Sequence, residues 1–176
     1  MEGSQDHPKI PRIKDTYIVG YAQSPFDEGT FITIMQNRKL GKALAEGGRT
    51  RLAYLGPKTM SPLLVLRAYQ NALTELGEIE EVFSCRKDDC YSNFPEVFIW
   101  SGQHRVPNIL PGSSHAFGNR GYYRDQRYWY GTVTATDSRY HVSVYSTVFS
   151  EGVGTWDKSL IGDPFILLGD SGRSGL

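Results

Sequence analysis

The feature that most constrains this chain is one strong helix signal, at residues 62–76, surrounded by segments that favour strands. Ser61 is a favoured N-cap residue, Pro62 suits the first helical position, and Gly77 suits the position after the last turn. Between them, apolar side chains recur at three- and four-residue steps and predict one buried stripe. The stripe contains Leu63, Leu66, Tyr69 or Gln70, Leu73 and Leu76.

Strand signals outnumber this helix. Runs rich in β-branched and aromatic residues occur at 16–23, 31–35, 49–55, 79–84, 97–100 and 165–168. The basic, glycine-containing segment 36–49 favours a turn or a short, ragged strand pair. The clearest hairpin joins residues 128–134 to residues 139–149, and apolar and polar side chains alternate along its second arm. We therefore expect an α+β fold, with a largely antiparallel β-sheet and one main amphipathic helix packed on it.

The length of 176 residues suits a single domain with one core. Residues 1–15 carry Pro8 and Pro11 among polar side chains, and we expect an extended N-terminal lead-in there. Residues 16–168 would form the domain, including a long loop at 101–121 that is rich in glycine and proline. We expect residues 169–176 to be a flexible tail or a vector-derived end.

The two cysteines, Cys85 and Cys90, are separated by four polar residues. A tight turn over this spacing brings two Cα atoms within disulfide range. A zinc site would need two further ligands, and the neighbouring Asp88 and Asp89 disfavour the thiolate that a redox site requires. We expect a structural disulfide, with two free thiols as the alternative. A disulfide implies export from the cytoplasm.

Charge and hydropathy exclude several functions. Lysine and arginine together number 19, as do aspartate and glutamate, so the net charge is zero, whereas general binding to nucleic acid requires surplus positive charge. No apolar run approaches the roughly 20 residues that cross a bilayer, and we expect no membrane span. There is no glycine-rich phosphate loop and no paired set of metal ligands, so we expect no cofactor and no metal.

Arginine and aromatic side chains interleave at residues 120–130. Such a pattern suits stacking on sugars and binding of carboxylates. The alternative is that half of the aromatic rings pack in the core, while Asp125 pairs with Arg124 or Arg127. The candidate ligand-binding residues are Arg120, Tyr123, Arg124, Arg127, Tyr128, Tyr130 and, in the long loop, His115.

Signals for catalysis are weak. The run Gly-Asp-Ser-Gly at 169–172 matches the local pattern around the nucleophile of chymotrypsin-like proteases, but the strands that should follow it are missing and no base is assigned. His7, beside Pro8, and His115, beside two serines, are candidate bases of a hydrolase. A lone histidine is more often a local hydrogen-bonding group.

An ordered set of segments, spread from about residue 3 to residue 168, resembles a family of exported proteins of Pseudomonas and related Gram-negative bacteria. The set comprises Gly-Ser-Gln-Asp-His-Pro-Lys-Ile at 3–10 with Arg12, Phe-Asp-Glu at 26–28, Thr-Arg-Leu-Ala-Tyr at 50–54, the helix within 61–77, Phe-Ser-Cys at 83–85 with Cys90, Tyr-Arg-Asp-Gln-Arg-Tyr at 123–128, and His-Val-Ser-Val-Tyr at 141–145.

The resemblance implies a location in the periplasm, a signal peptide that has been removed, and association with the outer membrane through an OmpA-like peptidoglycan-binding domain that often follows in this family. It implies no catalytic residue. We therefore expect a non-catalytic binding or scaffolding domain of the cell envelope, with an envelope protein or a glycan as its partner. The alternative is a periplasmic hydrolase that acts on a glycan or a peptide.

Overall fold

A computed structural model describes residues 3–36, 39–90, 123–150 and 162–174. Within these ranges the chain forms one α-helix and one antiparallel sheet of six strands, which confirms the expected α+β fold. The sheet order is β1-β2-β6-β5-β4-β3. The elements are β1 (Tyr17–Gln36), β2 (Lys39–Leu55), α1 (Pro62–Leu76), β3 (Glu78–Arg86), a 3₁₀ turn (Lys87–Asp89), β4 (Tyr123–Thr134), β5 (Ser138–Phe149) and β6 (Pro164–Ser174).

Helix α1 begins and ends where its local signals predict. The Ser61 Oγ accepts a hydrogen bond from the Leu64 N–H at 3.2 Å, and Pro62 occupies the first turn. Gly77 has an extended backbone with φ 168°, so it does not form the left-handed cap that glycine often supplies. Glycine is needed there because a Cβ would lie 2.2 Å from the Thr134 carbonyl oxygen.

The buried face of α1 is rotated from the predicted stripe. Its fully buried residues are Pro62, Val65, Tyr69 and Leu73, whereas Leu63 is 44% exposed. This face packs mainly on β4 and β5. The apolar layer beneath the helix also draws on β2 and β6, and it includes Leu52, Tyr54, Trp129, Val133, Val142, Val144, Ile166 and Leu168. The helix therefore covers one face of the sheet, as expected from the strand–helix–strand order.

The hairpin of β1 and β2 contributes to the core on the opposite face. Register shifts between Ser24 and Asp27 and near Ile32 interrupt the pairing of β1 with β2, and such bulges bend a strand. The Phe31 ring stacks on Tyr130 with 4.9 Å between centroids, and the Ile32 N–H donates to the Tyr128 hydroxyl at 3.1 Å. The second apolar layer therefore lies between this hairpin and β4.

Two predictions about strands are corrected. Residues 36–49 were expected to be a turn or a ragged pair, yet Lys39–Leu55 is continuous in β2. Gly169–Ser174 were expected to be a flexible tail or a vector-derived end, yet they belong to β6, which pairs with both β2 and β5. The predicted strand at 97–100 and the long loop at 101–121 lie outside the described residues.

The N-terminal segment, residues 6–12, contains no helix or strand and packs beside α1. Ile10 is buried in the helix-side apolar layer. Asp6 and Arg12 form an ion pair at 3.5 Å, and the Lys9 ammonium donates to the Tyr140 hydroxyl while lying 4.8 Å from the centroid of that ring. The predicted lead-in is thus fastened to the folded domain at several points.

Candidate functional site

The aromatic residues of β4 lie in the core rather than on a recognition surface. Tyr128 and Tyr130 point to the hairpin side, and Trp129 points to the helix side, as strand alternation requires. Each of these three side chains is at most 2% exposed, and Tyr123 is also buried, against Phe149. Burial also raises the pKa of Tyr128. As ligand contacts, Tyr123, Tyr128 and Tyr130 are therefore corrected to packing residues.

The arginines of the same strand differ from one another. Arg124 is exposed, whereas the side chain of Arg127 is only 13% exposed to solvent. A register shift between Arg124 and Arg127 accommodates Asp125 in a left-handed conformation with φ 50°, which aspartate tolerates better than most residues. The Arg127 Nη2 donates to the Asp125 Oδ1 at 3.0 Å. Arg120 and His115 lie outside the described residues.

A cleft of about 780 Å³ lies between α1 and the end of β3, and Arg127 lines it. A volume of this size is typical of small-ligand sites. One wall is α1, with Leu63, Leu66, Arg67 and Gln70. The other consists of Glu81, Ser84, Cys85, Arg86 and the turn Lys87–Asp89, with Arg127 from β4.

Three elements bring arginines to this cleft. Arg86 and Arg127 are direct cross-strand partners in the β3–β4 register, and Arg67 extends from α1. Directly opposed like charges destabilise a sheet unless counter-charges compensate them. Asp125 compensates the charge of Arg127 through an ion pair at 3.0 Å. The Arg86–Asp89 ion pair is weaker, because its atoms are 4.0 Å apart and both side chains are at least three-quarters exposed to water. The cleft therefore offers arginine donors for an anionic group, beside the carboxylates of Glu81, Asp88 and Asp89.

A disulfide between Cys85 and Cys90 closes the end of the cleft wall, with the Cα atoms 5.1 Å apart. It holds the 3₁₀ turn, whose last N–H, from Cys90, donates to the Lys87 carbonyl at 3.0 Å. The expected disulfide is thus present, and neither cysteine is free. Among the described residues no cluster of three or more histidine, cysteine or acidic side chains could hold a metal ion.

His7, a candidate base, is fixed by hydrogen bonds on both ring nitrogens. The Nδ1 accepts from the backbone N–H groups of Lys9 and Ile10 at 3.1 and 2.9 Å. Because Nδ1 is an acceptor, the neutral ring carries its proton on Nε2, which donates to the Asp170 Oδ2 at 3.1 Å. Neither nitrogen is available to a substrate, so His7 fastens the N-terminal segment and does not have the geometry of a base.

The Gly-Asp-Ser-Gly run has no protease geometry. Asp170 and Ser171 are neighbours in β6 and point to opposite faces of the sheet. Asp170 bonds His7 on the helix side, whereas the Ser171 Oγ donates to the Ala45 carbonyl at 3.1 Å. The serine, the histidine and the aspartate therefore cannot act together.

A second histidine lies on the hairpin side, away from the cleft. The Nδ1 of His141 is 2.8 Å from the Tyr130 hydroxyl oxygen. Burial, aided by the nearby positive charge of Arg139, lowers the pKa of His141, and burial raises the pKa of Tyr130. The Phe31 ring lies with its centroid 4.9 Å from that of Tyr130 and 5.7 Å from that of His141, so both rings take part in the packing on this side of the sheet.

The sequence analysis named Arg127, which the structure places at the cleft, but it did not name the other arginines there. Arg67, Arg86 and the apolar wall of Leu63 and Leu66 come together only through the β3–β4 register and the rotation of α1. No local signal identified them. The fold and the site define a disulfide-bonded α+β domain with an arginine-lined cleft.

No protein-family model matches the chain, and no curated protein matches it significantly. In the part of the chain that the structure describes, no helix has the length and apolar character of a membrane-spanning segment.

Proposed function

We propose that this protein is a non-catalytic binding or scaffolding domain of the Gram-negative cell envelope, which binds its partner in the cleft between α1 and β3. The observation that carries the proposal is the convergence of Arg67, Arg86 and Arg127 on one cleft of ligand-binding size. Such clefts with a few convergent polar groups are the usual form of a ligand site.

The disulfide supports the envelope location. Disulfides persist in oxidising compartments and are rare in the cytosol. The ordered resemblance to exported proteins, including the segment around Cys85 and Cys90, points in the same direction, and the periplasm is the compartment that it implies. Association with the outer membrane would follow from an OmpA-like domain beside this one.

The non-catalytic part of the proposal rests on the chemistry of the described site. The described lining of the cleft contains no histidine, and its one described cysteine is in the disulfide. The described histidines, His7 and His141, both lie elsewhere and are engaged in packing contacts. A hydrolase would need a base and an orienting partner within hydrogen-bond reach of a bound substrate.

Site-specific photocrosslinking tests the proposal. A photoreactive amino acid is placed at Gln70, which lines the cleft, or at its helical neighbour Asn71, which is exposed and does not. Both chains are exported to the periplasm of a Gram-negative host. We expect an envelope adduct from position 70 that Arg127→Gln weakens, and none from position 71. Equal labelling at both positions, or none at position 70, would contradict a binding role for the cleft.

A further inference from the structure

We infer that the cleft binds a carboxylate, presented by the free C-terminus of a short peptide segment. This inference rests on the proposed function, because it names the ligand class of the same cleft. It follows from the placement of the arginines, from the hydrogen-bonding capacity that Arg127 retains, and from the other charges around the cleft.

The cross-strand arrangement brings two arginines together. Arg86 and Arg127 face each other in the β3–β4 register, and this pairing places two cations side by side at the end of the sheet. An oxyanion between such a pair relieves their repulsion and accepts hydrogen bonds from both. Arg67 approaches from the helix, where its Nη1 is held at 3.1 Å by the Gln70 Oε1. Cations thus reach the cleft from both walls.

Among the described residues, Arg127 is held in place from one side only. Its side chain is largely buried, and Asp125 fixes one end of the guanidinium through Nη2. Within the described ranges the Nε has no hydrogen-bond partner and is closed to solvent, so a ligand in the cleft would meet the outer guanidinium nitrogens rather than Nε. A guanidinium has five donors in a rigid planar fork that matches the two oxygens of a carboxylate. Arg127 is therefore oriented by Asp125 and retains unused donors beside the cleft.

Acidic side chains around the cleft favour a carboxylate over a phosphate. The described lining carries Glu81, Asp88 and Asp89 beside its arginines and Lys87, and Asp125 pairs with Arg127. These acids repel a phosphate dianion more strongly than a monoanion. Leu63 and Leu66 supply an apolar surface beside the charges, which suits the side chain of a terminal residue.

Isotope-labelled protein provides the test. It is titrated with N-acetyl-alanyl-alanine, with the same dipeptide as its C-terminal amide, and with inorganic phosphate, while amide and arginine side-chain NMR signals are followed. We expect the free acid to shift signals of Arg67, Arg86 and Arg127. The amide should bind about tenfold more weakly or worse, because it loses a charge-assisted hydrogen bond.

Variants separate recognition from folding. Arg127→Gln should weaken binding of the free acid by about tenfold or more. Because Arg127 is largely buried, Arg67→Gln provides a second test at an exposed position, with a loss of at least about threefold. Arg124→Gln is the matched control on the same strand, and its affinity should stay within about twofold of the unmodified protein.

Each outcome decides the inference. Equal binding of the acid and the amide, tighter binding of phosphate, or shifts confined to residues outside the cleft would overturn it. If no probe binds while the adduct at position 70 persists, the carboxylate inference fails and the binding role of the cleft stands. If the adduct is also absent, both fail.

Discussion

The Nε2 of His7 lies 3.1 Å from the Oδ2 of Asp170, and both side chains are at most 7% exposed. The second carboxylate oxygen of Asp170 accepts the Thr50 N–H at 2.8 Å. One buried carboxylate thus joins the N-terminal segment to β6 and to β2. Buried polar groups in such networks are costly to leave unpaired.

Removing this carboxylate should destabilise the domain. Asp170→Ala leaves the His7 Nε2–H and the Thr50 N–H without their acceptor, and we expect the free energy of unfolding to fall by about 2–3 kcal/mol. Urea denaturation measures it. The control is Glu75→Ala, at an exposed position of α1, which should change stability by no more than about 0.5 kcal/mol. Equal effects of the two substitutions would show that the His7–Asp170 contact does not stabilise the fold.

The rotation of α1 gives a second prediction. Leu73 is fully buried, whereas Leu64 on the same helix is 54% exposed. We expect Leu73→Ala to lower the free energy of unfolding by about 2–5 kcal/mol, because it leaves a cavity against the sheet. Leu64→Ala should lower it by less than about 0.5 kcal/mol. A larger loss of unfolding free energy from Leu64→Ala than from Leu73→Ala would contradict the packing of the Leu73 face of α1 on the sheet.

The pKa of His141 gives a prediction about pH. Burial and Arg139 lower this pKa below its ordinary value of 6.5 in the folded state, so the unfolded chain binds the proton more readily. Neutral His141 therefore makes its full contribution to the free energy of unfolding above pH 6.5. This contribution is lost as the pH falls through the folded-state pKa of His141. We expect His141→Gln to lose less stability than the unmodified protein between about pH 7.5 and pH 5.

Denaturant titrations at a series of pH values check this prediction, and the difference between the two proteins cancels the contributions of the remaining histidines. Identical slopes of stability against pH for the unmodified protein and His141→Gln would contradict the lowered pKa. A steeper acid loss in the variant would do so as well.

The disulfide should contribute measurable stability. Closing so short a loop is worth about 2 kcal/mol in the chain-entropy model. We expect the double variant Cys85→Ala with Cys90→Ala to unfold at lower denaturant by about that free energy, and reductant should destabilise the unmodified protein by a similar amount. Reductant should have no effect on the double variant. A reductant effect of equal size in both proteins would exclude the disulfide as its cause.

Local signals explain which parts of the fold the sequence could predict. Ser61, Pro62 and Gly77 specify the ends of α1 within a few residues of chain, and alternation along residues 139–149 identifies β5. Gly169 to Gly172, by contrast, have low strand propensity. These residues form part of β6 because β2 and β5 pair with them on both sides. This pairing depends on the tertiary fold, so the local sequence does not indicate it.

The gap between the predicted strands at 16–23 and 31–35, which contains Pro25, shows a related limit. Proline lacks a backbone donor, so it usually ends a central strand. β1 is the edge of the described sheet, and Pro25 lies at a bulge in it, where a missing donor is tolerated. Whether a strand is central or at an edge depends on the whole sheet, so the continuity of β1 could not be predicted from this segment alone.

The candidate site was only partly predictable for the same reason. The interleaved arginines and aromatic rings of β4 drew attention to Arg127. The same pattern left open whether Tyr128 and Tyr130 contact a ligand or pack in the core, and both are buried. Their hairpin-side packing depends on Phe31 and Ile32, which are distant in sequence. The pairing of Arg127 with Arg86 depends equally on a long-range register.

The thiol state of Cys85 and Cys90 in intact cells tests most directly the claim that a structural disulfide joins them, on which the proposed envelope location rests. The protein is exported in a Gram-negative host, its thiols are trapped with an alkylating reagent before lysis, and its mass is measured with and without prior reduction. The account predicts no alkylation without reduction and two alkylated cysteines after it. Two cysteines alkylated before reduction would contradict it.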